Sequence, residues 1–317
     1  MALCTSNLPR SVQLYSEALG FRDAGGGAFF GELLGCIQQL GDDAAAVLWW
    51  LVGGQERFQI ELFAHTDPPQ RPQSRDWRPS DLGWVRWGIE VADLNACLAA
   101  LAELSIAPLT APLVEADRRR VCIRDPWTAI PLELIEAAGD RSRLPRVVYG
   151  AVSVPDLDRA RAFYVDGAGL EEDRETVLHS AAHEALWGLE GARSSGFLVR
   201  AGEVLLEVVR YERPVGRPRP ADALLSDQGF MHMAIGVREK PALEALAGRF
   251  AAHGYELTHP LPPGGSGGTY VLDDTGLTIE IVAVPPALEQ GYGFVAKDSS
   301  PFVEDGAPPQ PAAQIDV

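Results

Sequence analysis

FQIELFAHTDPPQRP, residues 58–72, lines up with VLLEVVRYERPVGRP, residues 204–218, and DLGWVRWGIEV at 81–91 lines up with DQGFMHMAIGV at 227–237, all at one offset of 146 residues. Self-similarity at one fixed spacing marks two copies of a single plan. Within it Glu61 falls on Glu207, whereas Arg86 falls on His232. A guanidinium has no free acceptor and cannot ligate a metal, while a neutral imidazole can. The two copies therefore differ at a position that matters chemically.

The copies also open alike, with ALCTSNLPRSVQLYSEALGF at 2–21 and YGAVSVPDLDRARAFYVDGAGL at 149–170. In each, a short strand leads to Asn7 or Asp156, whose side chain can cap the first turn of a helix, and Gly20 or Gly169 can close that helix in a left-handed cap. The same strand-then-helix pattern recurs inside each copy, at 84–104 and at 230–257, followed by apolar runs broken by glycine that read as antiparallel strands. This predicts an α+β fold of four βαβββ modules. The first copy spans 1–138 and the second 146–284, joined by a linker within 136–146, and the proline-rich end, 285–317, reads as a flexible tail.

Composition limits the partners. With 27 basic and 44 acidic residues the net charge is −17, which repels nucleic acid and anionic membrane surfaces alike. MALCTSNLPRS lacks the basic-then-apolar pattern of a leader, and no apolar run is long enough to span a bilayer, so a soluble, cytoplasmic protein is expected. Four cysteines, Cys4, Cys36, Cys97 and Cys122, sit in or beside apolar runs without CxxC spacing and read as small buried hydrophobes.

Four side chains of the second copy carry chemistry inside strands: Tyr149, Glu207, His232 and Glu280. A charged group in an apolar strand needs a partner, a ligand or solvent. Glutamate recurs at matching strand positions in all four modules, at Glu61, Glu133, Glu207 and Glu280, which a merely solvated residue has no reason to do. Glu207, His232 and Glu280 together form a plausible set of ligands for a divalent cation such as Fe, Mn, Zn, Co or Ni. In the first copy Arg86 suggests instead a buried cluster with Glu61 and Glu133, or a contact to a substrate anion. Trp187, Phe197, Phe230 and Tyr270 are candidates to line an apolar pocket, and the glycine-rich stretch 262–270 reads as a mobile loop over it. His179 and His183 share one helix face at i, i+4, without the further ligand that HExxH chemistry requires.

The residues NLPRSVQLY, DLDRARAFY and FMHMAI, with the strand glutamates, give the chain a resemblance over residues 1–284 to the vicinal oxygen chelate superfamily. That superfamily includes glyoxalase I, extradiol dioxygenases, methylmalonyl-CoA epimerase and the bleomycin-resistance proteins. The resemblance implies two glyoxalase/bleomycin-resistance/dioxygenase-type domains, each a cup of paired modules, with metal ligands on the first and last strands. Carried over, those positions are Tyr149, Glu207, His232 and Glu280; Tyr149 stands where the family has histidine or glutamine. The implied activity is that of a lyase or isomerase. A divalent cation would chelate two neighbouring oxygens of a small-molecule substrate and stabilise an enolate, while Tyr149 or Glu207 moves the proton. Two alternatives stand beside it: an extradiol-type ring-cleaving dioxygenase using Fe(II), and a metal-free binding protein or cyclase. Neither nucleic acid nor membrane is an expected partner, and the reading leaves room for a homodimer.

Overall fold

The computed structural model describes residues 1–115, 118–139, 141–142, 144–173 and 180–297. The first module runs β1 (Ala2–Cys4), α1 (Leu8–Gln13, continuing as a π-helical turn Leu14–Ala18), β2 (Arg22–Phe30), α2 (Glu32–Gln38), β3 (Ala45–Val52) and β4 (Gln59–Asp67). The second runs β5 (Gly83–Val91), α3 (Leu94–Glu103), β6 (Leu113–Glu115), β7 (Arg118–Arg124) and β8 (Pro131–Glu136). The third runs β9 (Arg146–Ser153), α4 (Leu157–Arg161, continuing through Ala162–Gly167), β10 (Glu171–Asp173), α5 (Ala181–Leu186), β11 (Arg193–Ala201) and β12 (Val204–Arg213). The fourth runs β13 (Gly229–Val237), α6 (Lys240–Ala252), β14 (Gly267–Leu272) and β15 (Thr278–Ala283), so the glycine-rich 262–270 stretch leads directly into a strand. Asn7 and Asp156 cap α1 and α4 through their side chains, and Gly20 and Gly169 take the left-handed φ of +82° and +71° that ends those helices.

The sheets do not follow the two copies. One has seven strands in the order β14-β15-β13-β1-β4-β3-β2, joining the first module to the fourth, and the other has eight in the order β10-β11-β12-β9-β5-β8-β7-β6, joining the second to the third. The expectation that each half of the chain closes its own cup is corrected here. Fifteen residues separate β4 from β5, and fifteen separate β12 from β13, so the chain leaves one sheet for the other at both places. Only nine lie between β8 and β9, which are both in the second sheet. The helices, by contrast, pack within each half. Tyr15 of the first module meets Trp87 at 5.6 Å and donates to Asp125 at 2.6 Å, while Phe163 meets Phe250 at 5.2 Å and Tyr255 at 4.8 Å. The halves share helix cores, and the cups form across them.

The two fifteen-residue crossings lock together reciprocally. Arg71 forks Asp227 at 2.7 and 2.6 Å and reaches Asp222 at 2.7 Å. Arg217, its counterpart at the 146-residue offset, forks Asp81 at 3.0 and 2.6 Å and reaches Asp76 at 2.6 Å. Bidentate arginine pairs of this kind fix geometry as well as charge. The start of the expected tail is also tied down: Lys297 N–H donates to the Asp23 carbonyl at 2.7 Å, and a Cβ at Gly293 would come within 2.3 Å of the Trp50 ring. The rest of that segment, 298–317, lies outside the described residues, as does His179.

Candidate metal centre

Three strands of the first sheet converge on one point. On β1, Ala2 is paired in parallel with Glu61 of β4 and antiparallel with His232 of β13, so its single methyl separates two functional side chains. The register slips at that step, Ala2 facing His232 but Leu3 facing Phe230. A bulge re-aims side chains, and here it lets Met231 pack in the cup's apolar lining beside Ala2, Cys4 and Trp50 while His232 also turns inward. Glu280 comes from β15, beside Ala234 of β13. Ligand atoms of Glu61, His232 and Glu280 all lie within 4.8 Å of one another.

Hydrogen bonds set the state of each group. The His232 Nδ1 lies 3.3 Å from the Met233 carbonyl, which can only accept, so Nδ1 carries the proton and Nε2 keeps its lone pair. The Tyr270 hydroxyl stands 3.0 Å from that Nε2. Burial brings the His232 pKa down to about 3, leaving a neutral imidazole. Burial, then the nearby Glu61 charge, pushes Glu280 up to about 8. Burial beside Glu280 and Glu61 also keeps Tyr270 protonated. Glu61 is held on one oxygen by Trp50 Nε1 and Gln59 Nε2, both at 3.0 Å. Two carboxylates crowded in a buried cup, with an imidazole whose other nitrogen is anchored on a backbone carbonyl, suit a divalent cation. Helix α2 closes the cup above them: Gln38 Oε1 accepts from His65 Nε2 at 2.8 Å, and the other His65 nitrogen is 3.8 Å from the Cys4 sulfur. The Cys4 thiol is pushed far up by burial and is no nucleophile.

The second sheet has the same register slip, Trp84 facing Val152 but Arg86 facing Ala151, yet holds a closed ionic cluster. Arg86 is fully buried and pairs with Glu207; it also donates to Tyr211 at 3.0 Å and lies 3.7 Å above the Trp187 ring. Glu133 accepts from Arg120 and Tyr149 at 2.5 Å each and from Trp187 at 3.2 Å. Arg120 also contacts His183, which lies 3.1 Å from Glu115. Buried Tyr149, its pKa raised by burial and by Glu133, acts as a donor.

Several sequence expectations are thereby relocated. Glu207 and Tyr149 do not join His232 and Glu280; they sit in the other sheet with Arg86. Glu61, expected beside Arg86 and Glu133, takes the place by His232 instead. Of the pocket candidates, Tyr270 reaches His232, and Phe230 stacks on Trp84 at 5.2 Å. Trp187 and Arg86 are consumed in the ionic cluster, and Phe197 packs in the core under Arg161. Trp50, Gln59 and Gln38 were missed as supports of the site, because amide and indole side chains leave no pattern in a single sequence.

Residues 143–281 match the family model described as the Glyoxalase/Bleomycin resistance protein/Dioxygenase superfamily. The segment 143–281 is thus a domain of that superfamily. Solved structures similar to the whole chain include a candidate dioxygenase from Bacillus subtilis, 11% identical over 93% of this chain and 88% of that one with a TM-score of 0.56. Glyoxalase I from Zea mays is 15% identical over 89% of this chain and 90% of that one, with a TM-score of 0.55. At such identities the likeness is one of fold. No curated protein matches the sequence. Among the described residues, no helix is long and apolar enough to cross a membrane.

Three buried histidines give the cation-free fold an acid limit. Burial lowers His65 to about 4 and His232 to about 3, and burial with the Arg120 charge lowers His183. Below about pH 6.5 the unfolded chain protonates all three while the folded protein resists, so stability falls as pH drops from 6.5 towards 4. Urea midpoints taken at pH 7 and pH 4.5 should differ, with about 2–3 kcal/mol of the loss belonging to His65. His65→Gln should make that slope shallower by its own share, leaving those of His183 and His232.

Proposed function

We propose that the chain is a divalent-metal enzyme of the glyoxalase-like kind, a lyase or isomerase acting on a small molecule with neighbouring oxygens. Glu61, His232 and Glu280 are its metal donors in this reading. What carries it is the convergence of two carboxylates and one neutral imidazole within 4.8 Å. One nitrogen and two oxygens suit Mn, Fe, Co, Ni or Zn. The set differs from the two-histidine, one-carboxylate triad typical of Fe(II) oxygenases, which favours the lyase or isomerase over ring cleavage.

When bound, the cation would supply Lewis acidity to the substrate oxygens as negative charge builds on an enolate. Everything else falls to the side chains. Glu61, tethered by Trp50 and Gln59, is a fixed orienting carboxylate. Glu280 accepts no hydrogen bond from any other described residue, and a fifth of its side chain stays exposed, so it can turn to the substrate carbon and carry the proton. Tyr270 keeps its proton and can offer it to a substrate oxygen. The apolar wall formed by Leu48, Phe63 and Met231 keeps water from competing for the enolate.

The test is proton NMR in D2O, with cation-loaded protein and a panel of α-hydroxyketones and α-ketoaldehyde hemithioacetals. The Cα–H signal of at least one compound should vanish about a hundredfold faster than in buffer, and His232→Ala should remove the effect. Blank-rate exchange across the panel, together with oxygen uptake on catechols, would overturn the reading in favour of ring cleavage.

A further inference from the structure

Between the two crossing connections lies a cavity of about 450 Å³, well inside the range of small-molecule sites. None of the three candidate metal ligands lines it. It straddles the axis that relates the two copies: Trp84 and Phe230, equivalent at the 146-residue offset, stack there at 5.2 Å and 28°. Ile130, Met231 and Leu277 complete an apolar floor.

Three arginines face four aspartates around this floor, but they are not paired evenly. Arg71 and Arg217 are fully engaged by the reciprocal clamps. Of the four aspartates that receive them, Asp76 and Asp222 stand at the rim with 72% and 78% of their side chains exposed, where water screens them. The two inner aspartates are saturated. Arg71 and Arg217 fork Asp227 and Asp81 respectively, and Asp227 also accepts the Leu224 N–H at 2.8 Å. The third arginine of the wall, Arg219, breaks the symmetry, since its counterpart at the same offset is Gln73. Its stem passes over Gly83, with Cδ 3.8 Å from where a Cβ would stand. Among the described residues no carboxylate lies within ion-pair distance of its guanidinium, which makes one hydrogen bond, at 3.4 Å, to the Leu224 carbonyl. Burial lowers its pKa more than the Asp227 charge, the largest opposing influence, raises it, as expected of a cation short of solvent.

A guanidinium outside any ion pair, above an aromatic and aliphatic floor, is a receptor for an anion with an apolar body. We propose that this cavity binds a small aromatic or branched aliphatic monocarboxylate, its carboxylate forked by Arg219 and its body laid on the Trp84–Phe230 stack. The site does not depend on the metal centre. It adjoins that centre through Met231, whose sulfur is 3.9 Å from the Tyr270 hydroxyl, and through Leu225, whose carbonyl accepts from Cys4 Sγ at 3.2 Å.

Isothermal titration of the metal-free full chain with benzoate, benzamide and inorganic phosphate tests the proposal. Benzoate should bind saturably, while benzamide, which has the same shape without the charge, and phosphate, which has charge without the apolar body, should each bind at least tenfold more weakly. Arg219→Gln, which installs the residue of the equivalent position, should weaken benzoate at least tenfold, and Glu280→Gln should leave it unchanged. No saturable benzoate binding, equal binding of benzamide or of phosphate, or unaltered benzoate affinity in Arg219→Gln would overturn it. The comparison of the three ligands on the unaltered protein decides the matter even if the variant does not fold.

Discussion

Arg86→Ala is expected to destabilise the fold by about 3–5 kcal/mol, because removing one partner of a buried ion pair leaves the other charge uncompensated in a low-dielectric interior. Arg86 is the hub of the second sheet's cluster: it pairs with Glu207, bonds Tyr211 and stacks on Trp187. Its loss strips the buried Glu207 carboxylate of its guanidinium and opens a void against an indole face. Adding Glu207→Ala should recover part of the loss, since the double variant removes the stranded charge, and the two costs should not add. Urea denaturation of the two single variants and the double measures this directly. Metal content should be the same in all of them, because the proposed cation donors, Glu61, His232 and Glu280, lie in the other sheet.

His232→Ala should act differently, costing less stability, about 2–3 kcal/mol for a small cavity and two lost hydrogen bonds, and about three orders of magnitude in cation affinity, the share of one ligand among three in a site of ordinary strength. The imidazole is fully buried but neutral, so its replacement strands no charge. It leaves Glu61 and Glu280 facing each other across a small space, which raises the cost of ionising both in the absence of a cation. Titration with Co(II), followed by its visible absorption, separates a lost ligand from a damaged fold, since the cation-free variant should still unfold cooperatively in the same preparation, with a stability lower by about 2–3 kcal/mol.

Modules, caps and the asymmetry between Arg86 and His232 were legible in the sequence because each rests on local pattern: strand alternation, side-chain caps, glycine at a left-handed position. The partner of each module was not. The offset of 146 residues makes Glu61 and Glu207 equivalent, and equivalence says nothing about which of them faces His232. Either pairing gives every strand edge the same kind of neighbour. What separates the two arrangements is long-range: connections of fifteen residues that cross between sheets, and the exchange of Arg71 and Arg217 between Asp227 and Asp81. The arginines and aspartates of that exchange lay within or beside the repeated segments, but a reciprocal clamp is visible only when both crossings are seen together. Tyr149 illustrates the same point. Read along the chain it stands at a ligand position of the second copy, whereas its neighbours across the sheet make it a donor to Glu133.

The central claim is that the metal centre is built from the first and last modules, with Glu61 and not Glu207 beside His232. The most direct test is the divalent-cation content, by mass spectrometry, of Glu61→Gln and Glu207→Gln purified side by side without chelator, each checked for folding by circular dichroism. The structure predicts that Glu61→Gln loses its cation while Glu207→Gln retains about one per chain. Retention by Glu61→Gln with loss by Glu207→Gln would contradict it.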